Sequence, residues 1–190
     1  MMGKLVEGAR QLGIPLTGHQ LQLFQTYYEQ LVDWNSRVNL TGITDYDEVQ
    51  VKHFLDSLSI ILPMKRAKWA DGNFALLDIG TGAGMPGIPL KLVYPQARLV
   101  LLDSVAKKTA FLKYIIEELR LAGVNVLTQR AEEIGHLPDY RERFDLVLLD
   151  LGLPAGGKPG SPVDSGGGLG VLSWLRGRGD TTPVIVLTAR

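Results

Sequence analysis

The sequence lacks cysteine and is poor in histidine, with three histidines among its 190 residues. The absence of cysteine excludes disulfide bonds, thiolate catalysis and cysteine-ligated zinc. The few histidines are not clustered with other ligands at metal-binding spacing, so no metal site is predicted. The 20 basic and 20 acidic residues balance to a formal net charge of zero. That balance argues against a protein held on nucleic acid by charge alone, but it leaves room for a local basic patch.

The sequence also lacks a long hydrophobic run. No apolar stretch approaches the ~20 residues of a membrane span, and the first residues lack the apolar region of a signal peptide. We therefore expect a cytoplasmic protein with no membrane partner. Hydrophobic residues make up 45% of the chain and charged residues 21%, which is typical of a globular protein. The length suits one α/β domain with its own core, and we expect a monomer.

Glycine, by contrast, is abundant, and four glycines follow one short apolar run. Residues 74–79 predict a buried strand, because their apolar side chains cannot all face one side. Gly80, Gly82, Gly84 and Gly87 come next; such residues tolerate positive φ angles and let a ligand approach the backbone. The stretch therefore predicts a strand, a glycine-rich loop and a helix N-terminus, which together form a cradle for a nucleotide-like ligand.

Two ligands compete for this cradle. Residues 82–87 satisfy the pattern G-x-G-x-x-G of dinucleotide-binding proteins. However, Asp78 ends the strand and begins the pattern D-I-G-T-G-A-G, and a carboxylate there would repel a pyrophosphate while suiting a cationic amino-acid ligand. The next predicted strand ends in Asp103, about 20 residues past the glycines, where an acid bonds ribose hydroxyls. These two acids favour S-adenosylmethionine over NAD.

The first third of the chain predicts helices. Thr17 can cap a helix with an apolar stripe, and Asp45 or Asp47 can cap another that stops at Pro63. The predicted stripes are Leu21, Phe24, Tyr28, Leu31 and Trp34 in the first helix, and Phe54, Leu58, Ile61 and Leu62 in the second. We divide the chain into a helical extension, residues 1–72, and a Rossmann-like domain, residues 73–190.

Strands and helices alternate in the second part. The predicted strands are residues 74–79, 98–103, 124–130, 144–150 and 183–188. Ser104 is expected to cap a long helix that Gly123 closes, and a short helix is expected over residues 169–176. The glycine-rich residues 152–170 predict a flexible loop. This alternation predicts a doubly wound, mostly parallel α/β sheet with its ligand at the carboxyl ends of the strands, where Asp78, Asp103, Arg130 and Asp150 fall.

Residues 16–145 closely resemble the bacterial ribosomal RNA small-subunit methyltransferase G family, also called glucose-inhibited-division protein B. The matching segments are W-N-S-R-V-N-L-T at 34–41, K-H-F-L-D-S-L at 52–58, L-L-D-I-G-T-G-A-G-M-P-G-I-P-L at 76–90, L-L-D-S-x-x-K-K at 101–108 and Q-R-A-E-E at 129–133. The resemblance implies a Rossmann-like fold that uses S-adenosylmethionine to methylate guanine N7 in 16S ribosomal RNA of the small ribosomal subunit.

The resemblance also implies roles for individual residues. The loop at Gly80 would meet the methionine end of the cofactor, Asp103 the ribose, and Ala131 and Glu132 the adenine. The full set of predicted cofactor-binding residues is Asp78, Gly80, Thr81, Gly82, Gly84, Met85, Asp103, Ser104, Ala131 and Glu132. Arg130 and the pair Lys107–Lys108 are candidates for RNA or cofactor contact. His53, Asp56 and Ser57 would lie at the mouth of the site, and Arg130, Asp150 and His53 are the candidate catalytic residues.

The last 40 residues depart from that family and are atypical of it. The family's arginine–alanine pair after the fourth strand and its later lysine–glycine motif are not found here. The segments F-D-L-V-L-L-D-L-G-L-P and T-T-P-V-I-V-L-T-A-R instead resemble a response-regulator receiver domain, with Asp150 as phosphoacceptor and Thr188 as switch threonine. Three rival functions follow: a receiver, an NAD-dependent oxidoreductase, and an S-adenosylmethionine-binding protein without catalysis. Asp150 itself could bond the N1–H and N2 edge of guanine or cap the following loop.

Overall fold

A computed structural model describes residues 2–66, 73–131, 143–153 and 167–188 of the chain. The helices of these regions are α1 (Gly3–Gln11), α2 (Gly18–Val38), α3 (Tyr46–Val49), a π-helix π1 (Gln50–Leu55), α4 (Asp56–Ser59), α5 (Ile61–Arg66), α6 (Gly87–Val93), α7 (Ala106–Glu118) and α8 (Gly167–Gly177). The strands are β1 (Ala75–Ile79), β2 (Arg98–Asp103), β3 (Val124–Thr128), β4 (Leu146–Asp150) and β5 (Val184–Leu187). No helix in these regions is long and apolar enough to span a bilayer.

All five strands form one parallel sheet in the order β3-β2-β1-β4-β5. Strands β2 and β3 are added in turn on one side of β1, and the chain then crosses to the other side of β1 to form β4. Such a reversal of strand order opens a crevice at the carboxyl ends of the central strands. The topology confirms the predicted doubly wound parallel sheet and places any ligand beside β1, β2 and β4.

The two faces of the sheet contribute to two separate apolar clusters. Leu76 and Leu148 belong to the larger cluster, which also contains the N-terminal helices. Leu77 and Leu149, their neighbours in sequence, belong to the smaller cluster, which is covered by Val171 and Trp174 of α8. Because successive side chains of a strand point to opposite faces, a continuous apolar run is what a strand covered on both sides requires.

Helix α2 begins as predicted. The Thr17 hydroxyl accepts the Gln20 amide, and the Gln20 side chain accepts the Thr17 amide, which completes a capping box. The predicted stripe packs against the larger apolar cluster, but it missed Tyr27, which is fully buried whereas Tyr28 is partly buried. Tyr27 stacks on Phe111 of α7 and donates its hydroxyl to the Ala83 carbonyl at 2.6 Å, so α2 directly contacts the glycine loop.

The prediction that Pro63 ends a helix was wrong. The N-cap is Asp45, as one of the two alternatives had it, and the helical path continues through π1, α4 and α5 to Arg66. A turn at Ile60 separates α4 from α5, so Pro63 lies in the first turn of α5, where a missing N–H costs little. Leu62, which was predicted to be part of the apolar stripe, is 40% exposed.

The predicted ends of the helix after β2 were also wrong. Its N-cap is Val105 and not Ser104, because the Asp103 carboxylate already accepts the Val105 amide at 2.8 Å. The helix ends at Glu118, and Arg120 with φ 51° takes the left-handed position that was expected of Gly123. Gly123, with φ 70°, instead lies in the turn that leads into β3.

Strand positions were predicted to within two residues at each end, and β2 matches its prediction fully. Helix α8 begins at Gly167, so the predicted loop over residues 152–170 was too long at its end. Residues 154–166 of that loop, and therefore its predicted mobility, lie outside the described residues. The division at residue 72 stays a prediction, although the larger apolar cluster joins side chains from both sides of it.

Candidate functional site

The glycine-rich loop after β1 turns through three glycines in the left-handed region. Their φ angles are 81° at Gly80, 58° at Gly82 and 97° at Gly84. The amides of Gly80 and Thr81 both donate to the Leu102 carbonyl near the end of β2, at 2.9 and 3.2 Å. The loop is therefore fixed against the neighbouring strand, and its backbone forms one wall of the crevice.

Space as well as backbone conformation requires glycine in this loop. A Cβ atom at Gly80 would lie 2.5 Å from Leu153 Cδ2 and 3.1 Å from Asp150 Cβ. A Cβ atom at Gly87, the first residue of α6, would lie 2.7 Å from Asp78 Oδ2. The loop thus packs against β4 on one side and against the Asp78 carboxyl on the other.

Asp78 lies under the loop and not on its surface, with only 1% of the residue exposed. Its Oδ2 accepts the Thr81 hydroxyl at 2.7 Å and the Gly87 amide at 2.9 Å, while its Oδ1 is buried without a hydrogen-bond partner. Burial raises the pKa of this carboxyl to about 7, although the two hydrogen bonds act in the opposite direction. Asp78 therefore holds the loop in shape and keeps one unpaired acceptor beneath it.

Asp103 joins the loop to the next helix. Its Oδ2 accepts the Gly82 amide at 3.0 Å, and its Oδ1 accepts the Val105 amide at 2.8 Å. Each carboxylate oxygen can accept a further hydrogen bond, so these two contacts leave acceptor capacity for a ligand. The residue is 7% exposed and lines the cavity described next.

The first cavity lies over the carboxyl ends of β1, β2 and β4. Five predicted residues line it, namely Gly80, Asp103, Ser104, Arg130 and Ala131, and so does Asp150. Lys108, which the resemblance implicated in RNA or cofactor contact, lines it as well, whereas Lys107 is not among its lining residues. The structure thus brings together the predicted ribose, adenine and glycine-loop positions from three separate segments of the chain.

Sequence reasoning missed several residues of this cavity. They are Ile79, Leu102, Val105, Gln129, Gly152, Leu153, Gly167 and Val171. Gln129 begins the matched segment Q-R-A-E-E, and Val105 directly follows the predicted Ser104, so proximity to a motif was an available signal for both. Leu153 and Val171 carry no such signal, because only the packing of β4 and α8 brings them here.

The remaining predicted cofactor residues that the structure describes do not line this cavity. Thr81 is buried against Asp78, Gly82 contacts Asp103, and a Cβ at Gly84 would lie 2.8 Å from the Tyr27 hydroxyl. Met85 lies on the other side of the loop and lines a second cavity. Glu132 falls outside the described residues.

The second cavity lies between the N-terminal helices and the carboxyl end of β5. His53, Asp56 and Ser57 line one wall, as the resemblance implied for the mouth of the site. The other lining residues are Lys52, Ser59, Ile60, Gly80, Met85, Pro86, Asp150, Val186, Leu187 and Thr188. Polar groups from the helices therefore face the carboxyl ends of β4 and β5 across this space.

His53 is held in place by residues of the matched segment W-N-S-R-V-N-L-T. Its Nε2 lies 2.9 Å from the Thr41 hydroxyl, and that hydroxyl also accepts the Ile43 amide at 3.1 Å. Asn35 fixes the same loop, since its Oδ1 accepts the amides of Leu40 and Thr41. Burial lowers the pKa of His53, although the nearby Asp56 charge opposes this shift. The neutral imidazole is thus favoured at the wall of the second cavity.

The two cavities share two lining residues, Gly80 and Asp150. Asp150 ends β4, and its Oδ1 accepts the Gly152 amide at 2.8 Å, which is the loop-capping contact that the sequence left as one of two alternatives. A group bound in one cavity would therefore lie next to a group bound in the other, with Gly80 and Asp150 at the boundary.

A parallel sheet with a glycine-rich loop after its first strand, and with carboxylates near the ends of its central strands, defines a Rossmann-like protein that binds a nucleotide-type cofactor. A family model described as rRNA small subunit methyltransferase G matches residues 20–149. The chain belongs to this family, and its fold is the Rossmann-like methyltransferase fold.

Two relatives illustrate the match. A ribosomal RNA small subunit methyltransferase G from Dehalococcoides mccartyi is 49% identical over 146 residues, covering 77% of this chain and 60% of the relative. The protein of the same name from Lachnoclostridium phytofermentans is 48% identical over 143 residues, covering 75% and 57%. The chain thus spans about 60% of the length of these curated relatives. Among solved structures, a putative methylase from Haemophilus influenzae has a TM-score of 0.49 at 16% identity, covering 70% of this chain and 81% of that one.

Proposed function

We propose that the first cavity binds S-adenosylmethionine. The fit rests on three features of this chain: the backbone of Gly80 in the cavity wall, the unpaired buried oxygen of Asp78, and the acceptor capacity of Asp103. When bound, this cofactor supplies a methyl group activated by an adjacent sulfonium. The positive charge of such a ligand suits a crevice bordered by the carboxyls of Asp103 and Asp150, with Asp78 beneath it.

The second cavity is proposed to receive the methyl acceptor, which is guanine N7 of 16S ribosomal RNA. The observation that carries this proposal is the shared boundary at Gly80 and Asp150, because methyl transfer requires acceptor and donor to be adjacent. Guanine N7 carries a lone pair and no proton, so no general base is needed. The protein's task is to align the acceptor at about 3–3.5 Å from the methyl group and to exclude water.

Three residues are proposed to hold the acceptor. Asp150 can accept hydrogen bonds from the N1–H and N2 edge of guanine, in addition to its contact with Gly152. His53 lines the opposite wall in its neutral form, and Arg130 lines the neighbouring cavity, where its charge can attract an RNA phosphate. An unstacked base in single-stranded or loop RNA is the kind of target that such a cavity admits.

This function also indicates where and in what form the protein works. Ribosomal RNA as substrate implies the cytoplasm as the compartment and the small ribosomal subunit as the partner. The chain itself contributes both walls of the boundary between the two cavities, so a monomer has the groups that transfer needs.

Calorimetric titration tests the cofactor proposal. S-adenosylmethionine and S-adenosylhomocysteine should bind, while NAD should not, and beryllofluoride with Mg²⁺ tests the receiver alternative at Asp150. Asp103→Ala should weaken S-adenosylmethionine binding by roughly 1–3 kcal/mol through lost charge-assisted hydrogen bonds. The matched control is Asp33→Ala, which removes an exposed ion pair with Arg37 on α2 and should leave binding unchanged. Tight NAD binding without a response to S-adenosylmethionine would refute the proposal.

The rate of methyl transfer is a separate question, because the residues that follow β4 depart from the family pattern. An arginine expected there is replaced by the segment L-G-L-P after Asp150. We expect cofactor binding to be retained and RNA methylation to be weakened or lost, since a base misplaced by an ångström can cost ~100-fold in rate. Methyl transfer from labelled S-adenosylmethionine to unmodified small subunits, measured beside a full-length relative, checks this. Equal turnover would show that the substrate-holding groups lie elsewhere.

A further inference from the structure

The segment that presents Lys52 and His53 to the second cavity is a π-helix, Gln50–Leu55. A π-helix has poorer geometry than an α-helix, is rare, and is found frequently at functional sites. It persists only where surrounding contacts fix it against relaxation to an α-helix. The contacts that hold π1 therefore decide how its side chains face the cavity.

Gln50, the first residue of π1, is buried and fully engaged, with 1% of the residue exposed. Its Oε1 accepts the backbone amides of Lys4 and Leu5 at 3.1 and 3.2 Å. Its Nε2 donates to the Tyr46 carbonyl at 3.1 Å and to Asp47 Oδ1 at 3.3 Å. A side chain that is distant in sequence thus caps helix α1, whose own N-cap residue makes no side-chain capping bond.

Helix α1 packs tightly along π1. Leu5 and Ala9 of α1 are fully buried in the larger apolar cluster together with Phe54 of π1. A Cβ atom at Gly8 would overlap the Leu55 side chain, which therefore packs directly on the backbone of α1. α1 precedes the residues that the family model matches, which begin at residue 20.

We propose that Gln50 is a positioning residue for the second cavity: by capping α1, it holds π1 in the register that places His53 at the cavity wall. Loss of the Gln50 side-chain contacts would let π1 relax toward an α-helix. Because successive residues of an α-helix are about 100° apart, a register change of one residue would turn His53 away from its Thr41 contact. This inference rests on the proposed function for the meaning of the cavity, but its structural part can be tested without any methylation.

The test compares variants of the full chain. Gln50→Met has a similar length but can neither accept from the amides of α1 nor donate to Tyr46 and Asp47. Gly8→Ala tests the same packing without touching the cap, and it raises helix propensity instead of lowering it. Arg10→Ala is the control, because it removes only an exposed ion pair with Glu7 within α1.

Two readouts are measured on each variant. The first is the ¹³Cε1–¹H resonance of the His53 ring, assigned by its loss in His53→Asn. The second is kcat and KM for unmodified small subunits, alongside the calorimetric affinity for S-adenosylmethionine. Gln50→Met and Gly8→Ala should move the His53 resonance and lower kcat/KM for the subunit about 10-fold or more, with cofactor affinity within about twofold of the parent. Arg10→Ala should stay close to the parent in both readouts.

The outcomes separate this inference from the proposed function. An unmoved His53 resonance and unchanged kinetics in a Gln50→Met protein of lower stability would show that Gln50 is merely structural and would overturn the inference. An equal loss of cofactor affinity would overturn it too, because the effect would then not be confined to the second cavity. If the parent protein neither binds S-adenosylmethionine nor transfers a methyl group, the proposed function fails, and the His53 resonance alone decides the positioning role.

Discussion

The buried carboxyl of Asp78 makes the stability of this protein dependent on pH in a direction that can be calculated. Burial raises its pKa from 3.8 to about 7, against the hydrogen bonds from Thr81 and Gly87, and the charges of Asp150 and Asp103 add to the rise. In the unfolded chain the same carboxyl is solvated and keeps its ordinary pKa. The folded protein therefore holds a proton over a pH range in which the unfolded chain has already lost it.

The sign of the effect follows from that difference. Between the two pKa values the folded state binds more protons, so the free energy of unfolding falls as the pH rises. At about 1.36 kcal/mol per pH unit, the full effect is about 4 kcal/mol. About 2–3 kcal/mol of it lies between about pH 5 and about pH 8, and the stability contribution is fully present below the unfolded pKa.

The substitution that isolates this effect is Asp78→Asn. The amide oxygen can still accept from Thr81 and Gly87, and the NH₂ group takes the place of the oxygen that has no partner. The variant carries no titrating group at residue 78. The difference in unfolding free energy between parent and variant should therefore shift by about 2–3 kcal/mol in favour of Asn between about pH 5 and about pH 8.

Urea unfolding at a series of pH values measures this difference. The lowered pKa of His53 acts in the opposite direction, since the unfolded chain then binds the proton more readily and stability falls as the pH drops below 6.5. Because His53 is present in both proteins, its effect cancels in the difference. Asp33→Asn, which replaces an exposed carboxyl of α2, serves as the control substitution. Parallel stability curves for parent and Asp78→Asn would refute the reasoning that burial dominates this pKa.

Two further predictions concern the loop. Gly80→Ala should weaken S-adenosylmethionine binding at least ~10-fold, because the backbone there has φ 81° and an added Cβ atom would overlap Leu153. Gly82→Ala has φ 58° and no neighbour closer than 4.0 Å to the added Cβ, so it should show only a strain of about 1–2 kcal/mol in stability. Equal effects of the two substitutions on binding would contradict the steric argument. Tyr27→Phe should lower the free energy of unfolding by about 1–3 kcal/mol, because it leaves the buried Ala83 carbonyl unpaired. Tyr28→Phe should lower it less, because the hydrogen bond that the Tyr28 hydroxyl donates is exposed. Thermal unfolding of both variants checks this.

The sheet could be predicted from the sequence because its strands are short apolar runs that end in acids. A strand covered on both faces cannot alternate polar and apolar residues, so residues 74–79, 98–103 and 144–150 are recognisable without any contact information. The conformation of the glycine loop could be predicted for the same local reason, since positive φ angles at Gly80, Gly82 and Gly84 require that residue type. Both predictions depend on physics within a few neighbouring residues.

Helix ends and side-chain partners were less predictable, because tertiary contacts decide them. Serine is a residue type that favours the N-cap position, yet it is the Asp103 carboxylate, and not Ser104, that accepts the Val105 amide. Proline usually stops a helix, yet a turn at Ile60 separates α4 from α5 and places Pro63 in the first turn of α5. The π-helix has no signature in its own sequence, since Gln50 is fixed by amides of α1 that lie 45 and 46 residues away. Such outcomes cannot be derived from spacing along the chain.

The two cavities differ in the same way, and that difference bears on function. The first cavity is built mainly from the loop and the strand ends of the matched region, so its residues could be proposed from motifs. The second joins the π-helix to β5, whose residues 184–187 lie beyond the matched range 20–149. Asp150 is the first residue after that range, and it borders both cavities. The atypical C-terminal residues line both cavities, because Leu153 and Val171 border the first while Val186 and Leu187 border the second. Kinetics that separate acceptor KM from cofactor affinity are consequently more informative for this chain than an overall activity measurement.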